Sequence, residues 1–158
     1  MSGTQFERRG YAAVGLWNPK SAANVGSVLR AVACFNAKLV VVQGVRYHNS
    51  HTDTPKAYRH LPLIETEDLQ SLVPFDCVPV AIEITDWARS LDAYQHPERA
   101  FYVFGPEDGS LPKEVLKWCR DVVRIPTNGC LNLAASANVV LYDREAKWLR
   151  ARAKGCVL

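Results

Sequence analysis

The stretch YAAVGLWNPKSAANVGSVLRAVACFNAKLVVVQ, residues 11–43, decides the fold class. It begins and ends with short apolar runs, residues 11–16 and 38–43, which are typical of buried strands. Between them, Ser21 is a favoured helix-capping residue, and apolar side chains then recur at helical spacing as far as about Phe35. A strand, a helix and a second strand in this order predict parallel strands joined by a helical crossover.

The same alternation continues to the end of the chain. Further strands are predicted at residues 78–84, 101–104 and 121–125, and further helices at residues 112–119 and 131–152. We therefore expect one α/β domain over residues 1–158, with a mostly parallel sheet and helices on both faces. Residues 43–62 are polar and weakly periodic, and we predict a long loop there.

Composition excludes several classes of protein. The chain has 158 residues, of which 48% are hydrophobic and 22% charged, and a net charge of +3. These values argue against disorder, and no apolar run approaches the ~18 residues of a membrane span. The first residues are polar and charged, so a cytoplasmic protein is expected. Five cysteines without CxxC spacing favour neither disulfides nor a metal site.

Three polar segments each follow a predicted strand, where ligands bind in parallel sheets. They are NPKSAANVGSVLRA (residues 18–31), FGPEDGSL (residues 104–111) and IPTNGCLNLAASAN (residues 125–138). The first lacks both GxGxxG and a P-loop, so the common nucleotide sites are disfavoured. On chemistry alone, Arg30 also fits a surface position and Asn132 a helix cap. Asn24 and Arg30 are separated by about 600° of regular helix, so they do not share a face.

Together these segments resemble the three motifs of the SpoU/TrmH-type RNA 2′-O-methyltransferases of the SPOUT superfamily. The motifs occur in the family's order across about residues 11–147, and the compact length resembles the branch that includes the tRNA wobble-position enzymes. The resemblance implies a C-terminal trefoil knot, S-adenosylmethionine as cofactor and RNA, with tRNA favoured, as substrate. It also implies a homodimer with sites at the subunit interface, and neither a DNA nor a membrane partner.

The resemblance assigns site residues as well. The positions that match the family's catalytic residues are Arg30, Asn24, Glu107 and Asn132. The positions that match its cofactor contacts, mostly through backbone atoms, are Ile82, Gly105, Ile125, Cys130 and Leu131. Many relatives carry serine where Cys130 stands. Arg30 is either a base or a group that aligns the adjacent phosphate, and the protonated state of a guanidinium makes the second role at least equal.

Two alternatives remain at this stage. One is a non-catalytic RNA-binding module on the same fold, against which the complete catalytic set argues. The other is a related enzyme that methylates rRNA or a base, although the Asn24 and Arg30 pair favours ribose. The basic residues predicted to contact phosphates are Arg46, Arg59, Arg144, Lys147, Arg150 and Arg152.

Overall fold

The computed structural model describes residues 10–49 and 61–155. Within them the strands are β1 (Tyr11–Trp17), β2 (Val40–Gln43), β3 (Leu63–Thr66), β4 (Val78–Ile82), β5 (Arg89–Ser90), β6 (Arg99–Phe104) and β7 (Asp121–Arg124). The α-helices are α1 (Ala22–Cys34), α2 (Lys113–Trp118) and α3 (Leu133–Ala153), and single 3₁₀ turns span Arg46–Asn49, Gln70–Leu72 and Leu91–Ala93. The strands form a parallel sheet in the order β3-β2-β1-β6-β4-β7-β5.

Both faces of this sheet are covered. Along β6, Tyr102 and Phe104 join the apolar cluster that contains the buried sides of α1 and α3, whereas Phe101 and Val103 join a cluster with Val115 of α2. Side chains alternate between the faces of a strand, so each strand of the sheet's centre contributes to both clusters. The predicted parallel α/β sheet with helices on both faces is confirmed.

Helix α1 forms as its sequence predicts. The Ser21 hydroxyl accepts a hydrogen bond from the Asn24 amide at 3.4 Å, which caps the first turn. Val25, Val28 and Leu29 are at most 1% exposed, and they form the stripe that packs against the sheet. Helical periodicity and a capping residue were therefore sufficient to locate this element.

The two edge strands were missed. β3 lies just after the segment predicted as a loop, and its central residues Ile64 and Glu65 are both exposed, so no alternation marks it. β5 has only two residues, too few for any period. Of the predicted loop, the part that lies in residues 50–60 is outside the described residues.

Two of the basic residues predicted to contact phosphates are held by hydrogen bonds to other parts of the chain. Arg144 is 4% exposed, and its guanidinium donates to the carbonyl oxygens of Pro97 (2.5 Å) and Glu98 (2.7 Å). The Lys147 ammonium donates to the carbonyl of Tyr94 (2.9 Å) and to other acceptors of the interior. Position 144 continues the buried stripe of α3, three residues beyond Leu141, and this spacing turns Arg144 inward. The burial of Arg144 contradicts its predicted phosphate contact, whereas the side chain of Lys147 is 26% exposed and its contact stays a prediction.

His96 lies beside Arg144 in a buried hydrogen-bonded chain. Its ring nitrogens contact the Tyr102 hydroxyl (2.6 Å) and the Asp143 carboxylate (2.8 Å). A carboxylate only accepts, so Nε2 carries the proton and Nδ1 accepts from Tyr102. Burial outweighs the attraction of Asp143 and lowers the pKa of His96 from 6.5 to about 4.

The free energy of unfolding should consequently fall between pH 6.5 and pH 4. In this window the unfolded chain binds a proton at His96 and the folded chain does not, so stability is lost as the pH falls, by up to roughly 3 kcal/mol. Urea titrations at pH 7 and pH 4.5 on the wild type and His96→Gln measure the difference. The variant should show a flatter pH dependence, and identical pH dependence in both proteins would contradict the prediction.

Candidate functional site

A cavity of about 400 Å³ opens at the carboxyl ends of β4, β6 and β7. These strands are neighbours, and Ile82 of β4 pairs with both Phe104 of β6 and Val123 of β7. The chain that leaves each strand therefore enters the same space, which is where parallel sheets bind ligands. The first turn of α3 closes the remaining side through Leu133 and Ser136.

The structure places all five residues predicted for the cofactor on the wall of this cavity. They are Ile82, Gly105, Ile125, Cys130 and Leu131. Sequence reasoning missed other parts of the wall, among them Glu83, Ile84, Asp108 and Thr127. Glu83 and Ile84 had been predicted to continue the strand, but β4 ends at Ile82, so both side chains belong to the loop. A strand prediction that ended at Ile82 would have placed both residues in the loop at the carboxyl end of β4, where ligand contacts are expected.

Three of the four predicted catalytic residues form one cluster at the edge of the cavity. The Asn24 side-chain amide donates to Glu107 Oε1 at 2.7 Å, and the Asn132 amide donates to Asn24 Oδ1 at 3.0 Å. Glu107 also accepts from the backbone amides of Lys20 (2.7 Å) and Ser21 (3.2 Å). The cluster thus joins the loop after β6 to the start of α1 and the start of α3.

The hydrogen bonds of this cluster run in one direction. Asn132 Oδ1 accepts from the amides of Ala134 (2.8 Å) and Ala135 (3.3 Å), so Asn132 caps α3 and its NH₂ group is left to donate to Asn24. Asn24 must in turn donate to Glu107, because a carboxylate only accepts. The two interpretations of Asn132, helix cap and site residue, therefore both hold geometrically, and each amide has one orientation.

Glu107 is ionised in this arrangement. Burial alone would raise its pKa, but the hydrogen bonds from Asn24, Lys20 and Ser21 outweigh burial and hold the pKa of Glu107 below its usual value. The carboxylate also lies where the positive end of the α1 dipole favours an anion. Glu107 is accordingly an acceptor that holds the loops together, and it has no proton to give near neutral pH.

Arg30 does not join this cluster within one chain. Asn24 is the third residue of α1 rather than a residue before the helix, so the two side chains leave the helix in different directions. Arg30 is exposed and is not part of the cavity wall. Within the described parts of the chain it makes no hydrogen bond or ion pair.

Arg46, another predicted phosphate contact, bonds to other groups of the protein. Its guanidinium forms two hydrogen bonds with the Asp108 carboxylate (2.9 and 3.1 Å) and one with the Asn18 carbonyl (2.8 Å). Lys20 adds a weaker ion pair to Asp108 at 3.7 Å. The hydrogen bond from Arg46 holds the pKa of Asp108 below its usual value. Arg46 therefore ties the chain after β1, β2 and β6 together beside the Glu107 cluster.

The charge of the wall restricts what the cavity can bind. Within the described residues it carries the acids Glu83, Glu107 and Asp108 and no Lys, Arg or His side chain. Such a wall favours a cationic or neutral ligand and disfavours phosphate groups. Over the same residues, no cluster of three or more His, Cys, Asp or Glu side chains could hold a metal ion. None of the described helices has the length and apolar character to cross a membrane.

The fold and the cavity define an α/β protein that binds a ligand at the carboxyl ends of a parallel sheet. The sequence matches the SpoU rRNA methylase family over residues 11–142. This match covers most of the chain, and the protein belongs to that family. The sequence matches no curated protein.

Solved structures share the fold. A protein described for 2-OH methylation of C/U34 on tRNA is 20% identical, with a TM-score of 0.75 over 91% of this chain and 94% of that one. AviRb from Streptomyces viridochromogenes, in complex with AdoMet, is 20% identical, with a TM-score of 0.73 over 94% of this chain and 63% of its own. The A. aeolicus TrmH/SpoU tRNA modifying enzyme is 16% identical, with a TM-score of 0.77 over 95% and 80%.

Proposed function

We propose that this protein transfers a methyl group from S-adenosylmethionine to a ribose 2′-hydroxyl of RNA, with tRNA as the favoured substrate. The observation that carries the proposal is the Glu107, Asn24 and Asn132 cluster beside a cavity lined by the five expected cofactor residues. Membership of the SpoU family supports RNA methylation. The tRNA preference is supported by the likeness to the C/U34 protein, of which this chain spans 94%.

The cavity wall suits the proposed cofactor. The apolar side chains Ile82, Ile84, Phe104, Leu131 and Leu133 offer an apolar surface against which an adenine ring can pack. The acidic groups make the wall attractive to a ligand of net positive charge such as this cofactor, and the absence of basic side chains from the described wall disfavours nucleotide phosphates. When bound, the cofactor supplies an electrophilic methyl group.

The chain's own residues bind and orient. Glu107 is a positioning residue, because it is ionised and its carboxylate is occupied by three donors. Asn24 and Asn132 fix the starts of α1 and α3 around the cavity. Arg30 suits a phosphate next to the target ribose, since a planar guanidinium binds a phosphate through two parallel hydrogen bonds. Positioning of this kind contributes much of the rate in bimolecular transfers.

We further propose a homodimer in which Arg30 of one copy faces the cavity of the other. Arg30 points away from the Asn24 cluster of its own chain, so a second copy offers a route to a complete site. The exposed face of α3 carries the apolar residues Val139, Tyr142 and Leu149, which a second copy would cover. Tyr142 also contacts Phe35 at the end of α1, which places this apolar face next to the helix that carries Arg30.

Two further features remain proposals. A C-terminal trefoil knot is supported by the sheet order, in which β6 lies between β1 and β4 although it follows both along the chain. A cytoplasmic location is the expectation for an enzyme that acts on RNA. Of the predicted phosphate contacts, Arg150 and Arg152 are exposed near the end of α3, and Arg59 lies outside the described residues.

The decisive experiment compares RNA from cells with and without the gene. Nuclease digestion and mass spectrometry should find a 2′-O-methylated tRNA nucleotide that disappears without the gene, and alkaline hydrolysis should leave it in a resistant dinucleotide. The wild-type gene should restore it, and Arg30→Ala should not. A methylated base or a changed rRNA nucleotide would favour the related-enzyme alternative. RNA binding with no change in methylation would favour the non-catalytic module.

Substitution of Cys130 tests whether its thiol is needed. Cys130 is exposed on the cavity wall, and the turn before it is shaped by a hydrogen bond from the Thr127 hydroxyl to the Gly129 carbonyl (2.6 Å). We expect Cys130 to contribute shape and backbone groups, because a thiol is a weak donor and acceptor. Cys130→Ser should keep most methyl-transfer activity, and Cys130→Ala should lose at most about tenfold. Folded, cofactor-binding variants without activity would show that the thiol takes part.

A further inference from the structure

Glu83 is the acid of the cavity wall that the Glu107 cluster and the Arg46 pair leave unexplained. It is the first residue after β4, and its backbone amide donates to the Val123 carbonyl at 3.0 Å, which extends the pairing with β7 by one bond. Its side chain is half-buried and faces the cavity between Ile82 and Ile84. The carboxylate is thus held on the cavity wall at the carboxyl end of β4.

The carboxylate of Glu83 is bound only in part. Oε2 accepts from the Leu111 backbone amide at 2.7 Å, and Oε1 accepts from the Ile84 backbone amide at 2.9 Å. A carboxylate has about four lone-pair sites, so each oxygen keeps one acceptor position. Within the described residues, no Lys, Arg or His side chain pairs with Glu83. By contrast, three donors occupy Glu107, and Arg46 and Lys20 contact Asp108.

Two adjacent acceptor positions on a half-buried carboxylate match the two adjacent hydroxyls of a ribose. We infer that Glu83 binds the ribose of the cofactor by accepting a hydrogen bond from each of its hydroxyls, an inference that rests on the proposed function. Through Oε2, the same carboxylate holds Leu111, so that cofactor binding and the loop that carries Glu107 share one anchor.

The sulfonium is the poorer partner for this carboxylate. Transfer of the methyl group discharges the sulfonium, so an anion beside it would stabilise the ground state more than the transition state and would slow the reaction. The ribose hydroxyls have the same charge before and after transfer. A carboxylate that binds them adds affinity without raising the barrier.

Calorimetry with the full chain tests the inference through a thermodynamic cycle. The probes are S-adenosylhomocysteine, its analogue that lacks one ribose hydroxyl, and S-adenosylmethionine. Each is titrated into the wild type, Glu83→Gln and the matched control Glu114→Gln, which changes an exposed residue of α2 outside the cavity wall. The wild type and Glu114→Gln should bind the deoxy analogue roughly 10- to 100-fold more weakly than the parent compound. Glu83→Gln should bind both compounds with a difference of only a few fold.

Three outcomes would overturn the inference. In the first, the wild type binds the deoxy analogue as tightly as the parent compound, a result that does not depend on whether any variant folds. In the second, Glu83→Gln weakens the binding of both compounds equally, which is what a purely structural effect on the loop produces. In the third, Glu83→Gln weakens the binding of S-adenosylmethionine far more than that of S-adenosylhomocysteine, which would place the carboxylate at the sulfonium. If the wild type binds neither S-adenosylmethionine nor S-adenosylhomocysteine at millimolar concentration, the proposed function itself is contradicted.

Discussion

Arg30→Ala should lower kcat for methyl transfer by about 10²–10³-fold, the usual cost of removing a group that positions the substrate or stabilises the transition state. Affinity for S-adenosylhomocysteine should stay within a few fold, because Arg30 is not part of the cavity wall. Single-turnover assays with radiolabelled cofactor and calorimetry measure the two quantities. Near-wild-type turnover would contradict the assignment of Arg30 to the active site.

Mixed dimers show which subunit supplies Arg30. Co-expression of Arg30→Ala with Gly105→Val, whose added side chain would crowd the Leu111 amide and narrow the cavity, gives heterodimers with one defect in each chain. If Arg30 acts across the interface, one of the two sites is intact and roughly a quarter of wild-type activity returns. No recovery would place Arg30 in its own chain's site. Light scattering should give twice the chain mass of 17.6 kDa, and a monomer would contradict the shared site.

Arg30→Lys separates the two roles of this residue. A lysine keeps the positive charge and can lose a proton, but it has no planar group for bidentate binding. If Arg30 aligns a phosphate, the lysine variant should be slow at every pH. If Arg30 is a base, the lysine variant should recover activity as the pH rises.

Arg144→Met should lower the free energy of unfolding by about 3–5 kcal/mol. The variant removes the guanidinium donors from the carbonyls of Pro97 and Glu98, of which only the second keeps another donor, the Tyr11 amide, and it removes the contact with the Tyr102 hydroxyl. For a chain of this length the loss corresponds to a fall of about 10 °C in Tm. Urea and thermal unfolding at one protein concentration measure it.

The control for this prediction lies on the same helix. Arg150 is exposed near the end of α3, and Arg150→Met should change stability by no more than about 0.5 kcal/mol. A loss below about 1 kcal/mol for Arg144→Met would contradict the prediction. It would show that the free-energy cost of desolvating the buried guanidinium nearly cancels the stabilisation from its hydrogen bonds.

Local patterns were sufficient for much of the fold. Ser21 and the stripe that begins at Val25 located α1, and continuous apolar runs located the buried strands. The family resemblance assigned the cofactor positions Gly105 and Ile125, and their place at strand ends agrees with it, because the carboxyl ends of neighbouring parallel strands meet at one edge. These features depend on residues within a few positions of each other along the chain, so they can be predicted from a single sequence.

The tertiary structure decided what depends on distant residues. Asn24 and Asn132 are 108 positions apart, and their hydrogen bond exists because β6 lies beside β1 and because α3 packs against α1. The packing of α3 also buries Arg144 within a run of surface-like charges, whereas the divergence of Arg30 from Asn24 follows from helix geometry and could be predicted from the sequence. Glu83 faces the cavity because β4 ends one residue before it. Local propensity carries no information about which strands become neighbours, and that choice determines which polar side chains meet.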